Sequence, residues 1–283
     1  MAKHSLPVKA YKNQEFLNSA DGRTIRILSE YYEPKARFAR NKIVDTIVFF
    51  GSARLISRKD ALKLVEAAKK EKSGSSKRSF ERAVKILEMS KYYEEAVELS
   101  KKLTEWSKTL DGGGKRFLIC TGGGPGIMEA ANKGAHLAGG HSLGLNISIP
   151  FEQYVNKYVD PKLAFEFHYF FMRKLWFVYL AKALIVFPGG FGTLDELMEV
   201  LTLVQTKKVT KKMKIIIYDE AYWREIINFD ALVEHGTINK EDMKLFDFCN
   251  SIDEAFGKIK THFEKHFLNN KKGNKKPRQR RGL

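Results

Sequence analysis

The sequence predicts an α/β fold: a doubly wound parallel sheet of about six to seven strands with helices on both faces. Three observations lead there. Short apolar runs, such as TIVFF at 46–50 and ALIVF at 183–187, suit strands buried on both faces. Glycine-rich turns follow such runs and open helical patterns, giving repeated strand–turn–helix units. The chain has 283 residues and is 43% hydrophobic, enough for a substantial core.

Taken in order, residues 1–44 form an N-terminal arm. A helix is expected over 16–28, although Ala20, Asp21 and Gly22 signal a turn. The charged and aromatic stretch 30–40 is expected to pack on the domain surface. The main domain spans 45–268. Its first strand, 46–50, ends in Gly51, Ser52, Ala53 and Arg54. Ser52 suits a hydrogen bond to a ligand phosphate or ribose, and equally a turn cap. The stretch 58–110 is long for one crossover helix. The polar run KSGSSK at 72–77 divides it, so an inserted helical pair is expected over about 59–110. Tyr92, Tyr93, Ala96, Val97 and Leu103 recur at helical spacing and read as core.

Glycines at 112–114 stop that helix, and 117–120 is the second strand. TGGGPGIMEAANKGA at 121–135 then makes a strand–turn–helix cradle for a phosphate, built on Gly122, Gly123, Gly124 and Gly126. The spacing is not GxGxxG, and no acidic residue ends the next strand at the required distance, so a dinucleotide is not expected. Strands follow at 141–147 and 163–169. Between them a loop carrying Tyr154, Asn156 and Tyr158 is placed to shape a ligand's variable part. The helix 170–180 is apolar nearly all round and needs cover. After the strand 183–187, Pro188, Gly189 and Gly190 break the chain. Gly192 and Thr193 open the next helix, with Thr193 as N-cap and Glu196 at the capping-box spacing. Arg173 before this strand and Glu196 after it are expected to face one crevice at its carboxyl end. Alone, each has a bland explanation, as a surface cation and a capping carboxylate. A strand at 214–218, a helix opening at Tyr222 and Trp223, a short strand at 246–248 and a helix over 252–267 complete the domain.

Composition narrows the function classes. The net charge is +17, and Lys and Arg crowd the segment 269–283, which reads as a disordered tail with a salt-sensitive nucleic-acid contact or a solubilising role. Cys120 and Cys249 form no framework and read as reduced core thiols. No run is long enough to span a membrane, and the amino end lacks a signal-peptide core, so a cytoplasmic protein is expected. His262 and His266 lie one turn apart without an HExxH order or a third ligand, so no metal is expected.

FMRK at 171–174 followed by PGGFGTLDE at 188–196 resembles the paired signature of the LOG family. These are cytokinin-activating nucleoside monophosphate phosphoribohydrolases, often labelled "possible lysine decarboxylase". GGGPGIME at 122–129 resembles the family's other motif, and the likeness covers roughly 45–223. It implies a Rossmann-like fold, a homodimer, no cofactor, and hydrolysis of AMP or a cytokinin-type nucleotide to free base and ribose 5-phosphate. Arg173 and Glu196 would be catalytic. Ser52, Met128, Lys174, Thr193 and Thr202 would bind substrate beside the glycines at 122–124 and 126 and at Gly189, Gly190 and Gly192. Two departures stand out. Arg54 and Leu55 replace the small residues usual after Gly51-Ser52, and the base-contacting Glu of compact members has only Glu166 as a candidate. The alternatives are a non-catalytic nucleotide or cofactor carrier, which would not need Glu196, and a nucleic-acid-associated protein. An amino-acid decarboxylase would need a pyridoxal phosphate lysine or a pyruvoyl group, and neither is visible.

Overall fold

A computed structural model of the chain describes residues 6–70, 76–110, 115–150 and 154–268. The glycine stop at 112–114, most of the polar run at 72–77 and the basic tail lie outside the described residues. Within them, seven strands form one sheet: β1 Thr46–Phe50, β2 Leu118–Thr121, β3 Ser142–Ile147, β4 Ala164–Phe167, β5 Ala181–Val186, β6 Lys214–Tyr218 and β7 Asp247–Cys249. The order is β4-β3-β2-β1-β5-β6-β7, and every neighbouring pair is parallel. The chain winds outwards from β1 to one edge, returns to the other side of β1, and winds outwards again. The two windings diverge at the carboxyl ends of β1 and β5, where a crevice forms in sheets of this kind.

The α-helices in chain order are α1 Gln14–Asn18, α2 Arg23–Arg40, α3 Arg58–Lys70, α4 Ser76–Met89, α5 Lys91–Lys108, α6 Ile127–Leu137, α7 Phe170–Leu180, α8 Phe191–Gln205, α9 Glu220–Ile226, α10 Phe229–Glu234 and α11 Ile252–Phe263. Alternation along the strands sends side chains into two cores. Ile47 and Phe49 join the buried faces of α5, α6 and α11 on one side of the sheet. Val48 and Phe50 join α2, α7 and α8 on the other. That double winding is the fold class the apolar runs predict.

Two regions differ from expectation. Three helices, not two, lie between β1 and β2. The second expected helix divides at Ser90, which is fully buried and whose hydroxyl donates to the Leu87 carbonyl (2.6 Å). Its first two helices pack together through a small core of Val65, Ala68 and Ala83. The stretch 30–40, expected as an arm, belongs to α2, which runs on to Arg40 through Pro34. This helix provides the cover α7 needs. Phe38 packs on Trp176 and Phe165, and the Trp176 indole N–H donates to the Glu30 carbonyl (2.8 Å). The Glu30 carboxylate accepts the amides of His168 and Tyr169, where negative charge complements the amino end of α7.

Candidate active site

β5 is buried along its whole length, and its successor Phe187 is buried too. The chain then turns through Pro188, Gly189 and Gly190. The loop after β1 lies alongside, since the Ser52 amide donates to the Pro188 carbonyl (3.0 Å). These two turns floor a cleft of about 810 Å³ at the carboxyl ends of β1 and β5. From the β3 side, Ile147, Ile149 and Phe170 reach it. From the β6 side come Tyr222 and Ile226.

Helix α8 begins three residues earlier than predicted. Gly190 is its N-cap, and no side chain caps it. Thr193 is therefore an internal residue of the first turn, buried with its side chain against Gly189, and not the cap. The capping-box assignment of Glu196 falls with it. Glu196 sits in the second turn, 6% exposed, lining the cleft. Among the described residues its carboxylate has no hydrogen-bond partner. Burial pushes its pKa up to about 7, against the pull of the Lys174 and Arg173 charges.

Arg173 reaches the same cleft from α7. Its Nε donates to the Leu145 carbonyl (2.7 Å), and its guanidinium lies 5.0 Å from the Phe177 ring centre. The group passes over Gly122, where any side chain would collide with it and with the Met128 sulfur. Burial lowers the Arg173 pKa while the Glu196 charge opposes that shift. The cation and the carboxylate are thus coupled across one concave, partly desolvated space.

Most of the predicted site residues meet here. Ser52, Gly122, Met128, Gly189, Gly190, Gly192 and Thr193 line the cleft with Arg173 and Glu196. The Ser52 hydroxyl accepts the Arg54 amide (3.1 Å), so it also caps its own turn. Five residues lie elsewhere. Lys174 points to α8, bound to Asp195 (2.8 Å) and Glu199 (2.7 Å). Burial works against its charge, but these two acidic partners raise its pKa overall. Thr202 donates to the Met198 carbonyl and, with Lys174, lines a separate shallow depression along α8. Gly123, Gly124 and Gly126 lie outside the lining of the cleft and build the β2–α6 turn. The Gly123 amide donates to Thr121 Oγ1 (2.9 Å), while the Asn156 side chain donates to the Gly123 and Gly124 carbonyls (3.0 Å each). Gly126 has φ +71°, and a Cβ there would press on the backbone of Ser52 and Ala53. Asn156 therefore holds a turn and does not shape the ligand space. Glu166, on the edge strand β4, accepts hydrogen bonds from Asn146 and Ser148 (2.8 Å each) and does not line the cleft.

Sequence reasoning passed over Arg54, Met89, Phe170, Phe191 and Tyr222, all of which line the cleft. For Arg54 and Tyr222 a signal existed: Arg54 follows β1, at the switch point, and Tyr222 follows β6, the neighbour of β5. Met89 had none, because it ends a helix whose boundary the sequence hides.

Comparison with known proteins now bears on this geometry. The model of the family described as "possible lysine decarboxylase" matches residues 128–259. A rice protein (Oryza sativa subsp. japonica) named "probable cytokinin riboside 5′-monophosphate phosphoribohydrolase" is 30% identical over 166 residues, covering 58% of this chain and 67% of its own. The chain belongs to the LOG family. An Arabidopsis thaliana cytokinin riboside 5′-monophosphate phosphoribohydrolase is 30% identical over 151 residues, covering 52% of this chain and 64% of its own. Another from the same plant is 27% identical over 180 residues, covering 62% and 78%. Among solved structures, a molybdenum cofactor carrier protein of Chlamydomonas reinhardtii is 17% identical, with TM-score 0.43, covering 78% of this chain and 99% of that one. The molybdenum cofactor binding protein of Rippkaea orientalis is 20% identical, with TM-score 0.41, covering 59% and 87%. Within the LOG family match fall Arg173, Glu196 and the β5–α8 turn. The β1 turn and helices α3 to α5 fall outside it.

Proposed function

We propose that this protein hydrolyses the N-glycosidic bond of a nucleoside 5′-monophosphate, AMP or a cytokinin-type nucleotide, to free base and ribose 5-phosphate. The observation that supports this most is a buried carboxylate, Glu196, that has no hydrogen-bond partner among the described residues and faces a cleft it shares with Arg173. A carboxylate held near pKa 7 is matched to proton transfer at neutral pH. A carrier needs a cradle but has no use for such a group.

The reaction breaks the bond between C1′ and the base nitrogen. The electron pair leaves with the base, and positive charge develops at C1′. Ionised Glu196 stabilises that charge and takes a proton from the attacking water, whose oxygen bonds C1′. The departing base nitrogen takes a proton from solvent, and Glu196 then returns the proton it took from the water. The Gly190, Phe191 and Gly192 amides, which open α8, have no backbone acceptor among the described residues and suit the 5′-phosphate. Arg173 adds charge to the phosphate or to the leaving base. No step asks for a metal or cofactor.

The same reading includes a homodimer, which the exposed Phe170, Phe171 and Phe191 near the cleft mouth favour. It also places the protein in the cytoplasm. Among the described residues no helix is long and apolar enough to cross a membrane, and both cysteines are free and buried.

The test is chromatography of base and ribose 5-phosphate after incubation with AMP, GMP, CMP, UMP and isopentenyl-AMP. Glu196→Gln should lower the rate by about 10²–10⁴-fold. Wild-type kcat/KM should rise with pH as Glu196 ionises and level off above about pH 7. A Gln variant that hydrolyses its nucleotide normally removes Glu196 from the chemistry. A wild type that binds AMP and never releases base favours a carrier.

A further inference from the structure

Besides Met89, which lines the cleft directly, the helical insertion between β1 and β2 reaches the site through a chain of three side chains. Tyr222, in the first turn of α9, lines the cleft, and its hydroxyl donates to the Gly189 carbonyl (3.1 Å). That carbonyl belongs to the peptide that joins Gly189 to Gly190, just before α8. In a trans peptide the C=O and the following N–H point in opposite directions. Anchoring the Gly189 carbonyl therefore also sets the direction of the Gly190 amide, the first of the row that opens α8. Thr193 and Ser52 crowd the Gly189 side of this peptide, but nothing crowds the Gly190 side. Gly190 has open space where a side chain would be, and a glycine–glycine peptide turns over at little cost.

Tyr222 is itself held from behind. Asp219 caps α9: its Oδ1 accepts the Tyr222 amide (2.9 Å). The residue has φ +71°, an uncommon backbone for a residue with a side chain. Such a conformation persists where the surroundings enforce it. Its other oxygen accepts the Tyr92 hydroxyl (2.8 Å) and pairs with Lys91 (3.4 Å), both from the first turn of α5. The insertion thus grips the cap of α9, the cap carries Tyr222, and Tyr222 fixes the glycine turn.

The structure assigns to Tyr222 the role of a positioning residue, braced by Asp219 and Tyr92, that holds the Gly189–Gly190 peptide in the orientation that binds the substrate's phosphate. This rests on reading the cleft as a 5′-nucleotide site. It gives the insertion, which the family match leaves out, a part in substrate recognition.

The experiment is calorimetric titration of wild type, Tyr222→Phe and Tyr92→Phe with AMP, ribose 5-phosphate and adenosine. Phenylalanine keeps the ring and removes only the hydroxyl. One neutral hydrogen bond is worth about fivefold in affinity. Tyr222→Phe should therefore bind AMP and ribose 5-phosphate about fivefold more weakly and leave adenosine unchanged. Tyr92→Phe lies outside the cleft and should act in the same direction by about twofold, because Asp219 keeps Lys91. Wild-type affinity for AMP and ribose 5-phosphate in both variants overturns the inference alone. So does an equal loss for adenosine, which would mark a general change in the cleft. A wild type that binds neither AMP nor ribose 5-phosphate overturns the nucleotide reading with it.

Discussion

The two glycine turns, β2–α6 and β5–α8, look alike in sequence and do different work. The first has more glycines, yet most of them are occupied with each other and with the protein. Gly123 gives its amide to Thr121, and Asn156 takes up the Gly123 and Gly124 carbonyls. Gly126 lets the chain pass against Ser52. Only Gly122 opens on the cleft, and it does so to admit Arg173. In the second turn, side chains at Gly190 or Gly192 would meet nothing. One turn is a joint and the other is an open mouth. A glycine count does not separate a backbone that must approach protein from one that must approach a ligand.

Substitutions should sharpen this contrast. The largest effect is expected at Gly126→Ala, where a positive φ and a clash with backbone coincide. A loss of about 3 kcal/mol or more in denaturant unfolding would mark the β2–α6 turn as structural. Next comes Glu196, on the helix that follows the open turn. Its folded pKa is about 7 and its ordinary value 4.5. The folded state therefore holds this proton more tightly. The stability it contributes is present in full below about pH 4.5 and is lost as pH rises through about 7. Ligand-free wild type should thus lose up to about 3 kcal/mol relative to Glu196→Gln between pH 4.5 and pH 8. Parallel stability curves across that range would show that the carboxylate is not strained by burial. Asn156→Ala should cost about 1–3 kcal/mol by leaving two carbonyls of the closed turn without their donor, read from the urea midpoint. The smallest effect belongs to Gly192→Ala, neutral or stabilising by up to about 1 kcal/mol, because a methyl group there faces open space on a helix. A loss at Gly192 as large as that at Gly126 would erase the distinction.

Much of this was legible in the residues. Buried parallel strands read as continuous apolar runs because both faces are covered, so β1, β5 and β6 stand out without any alignment. Arg173 and Glu196 flank one of those runs, and the topology brings them together. The errors have geometric causes. Successive helical residues point about 100° apart, so Lys174 cannot share the direction of Arg173. Thr202 lies six residues beyond Glu196, about one and two-thirds turns, and faces away from it. It aligns with Asp195 and Met198, which line the shallow depression along α8 and not the cleft. Asn156 could not be tied to the glycines of 122–126 from sequence, because the contact spans the whole of α6 and β3. The division between α4 and α5 was hidden as well. Ser90 fits a helix interior by composition, and the sequence carries no glycine or proline to mark the end of α4 at Met89 and the start of α5 at Lys91.

The position of β1 at the centre of the sheet has a consequence for inheritance. The family signature at 128–259 begins after both β1 and β2. Cut out by itself, it would leave β3 and β4 on one side and β5 to β7 on the other, with a gap two strands wide between them. The diagnostic segment is therefore not a transferable cassette. A recombination that moved it into another gene would carry Arg173 and Glu196 without the spine on which they are brought together.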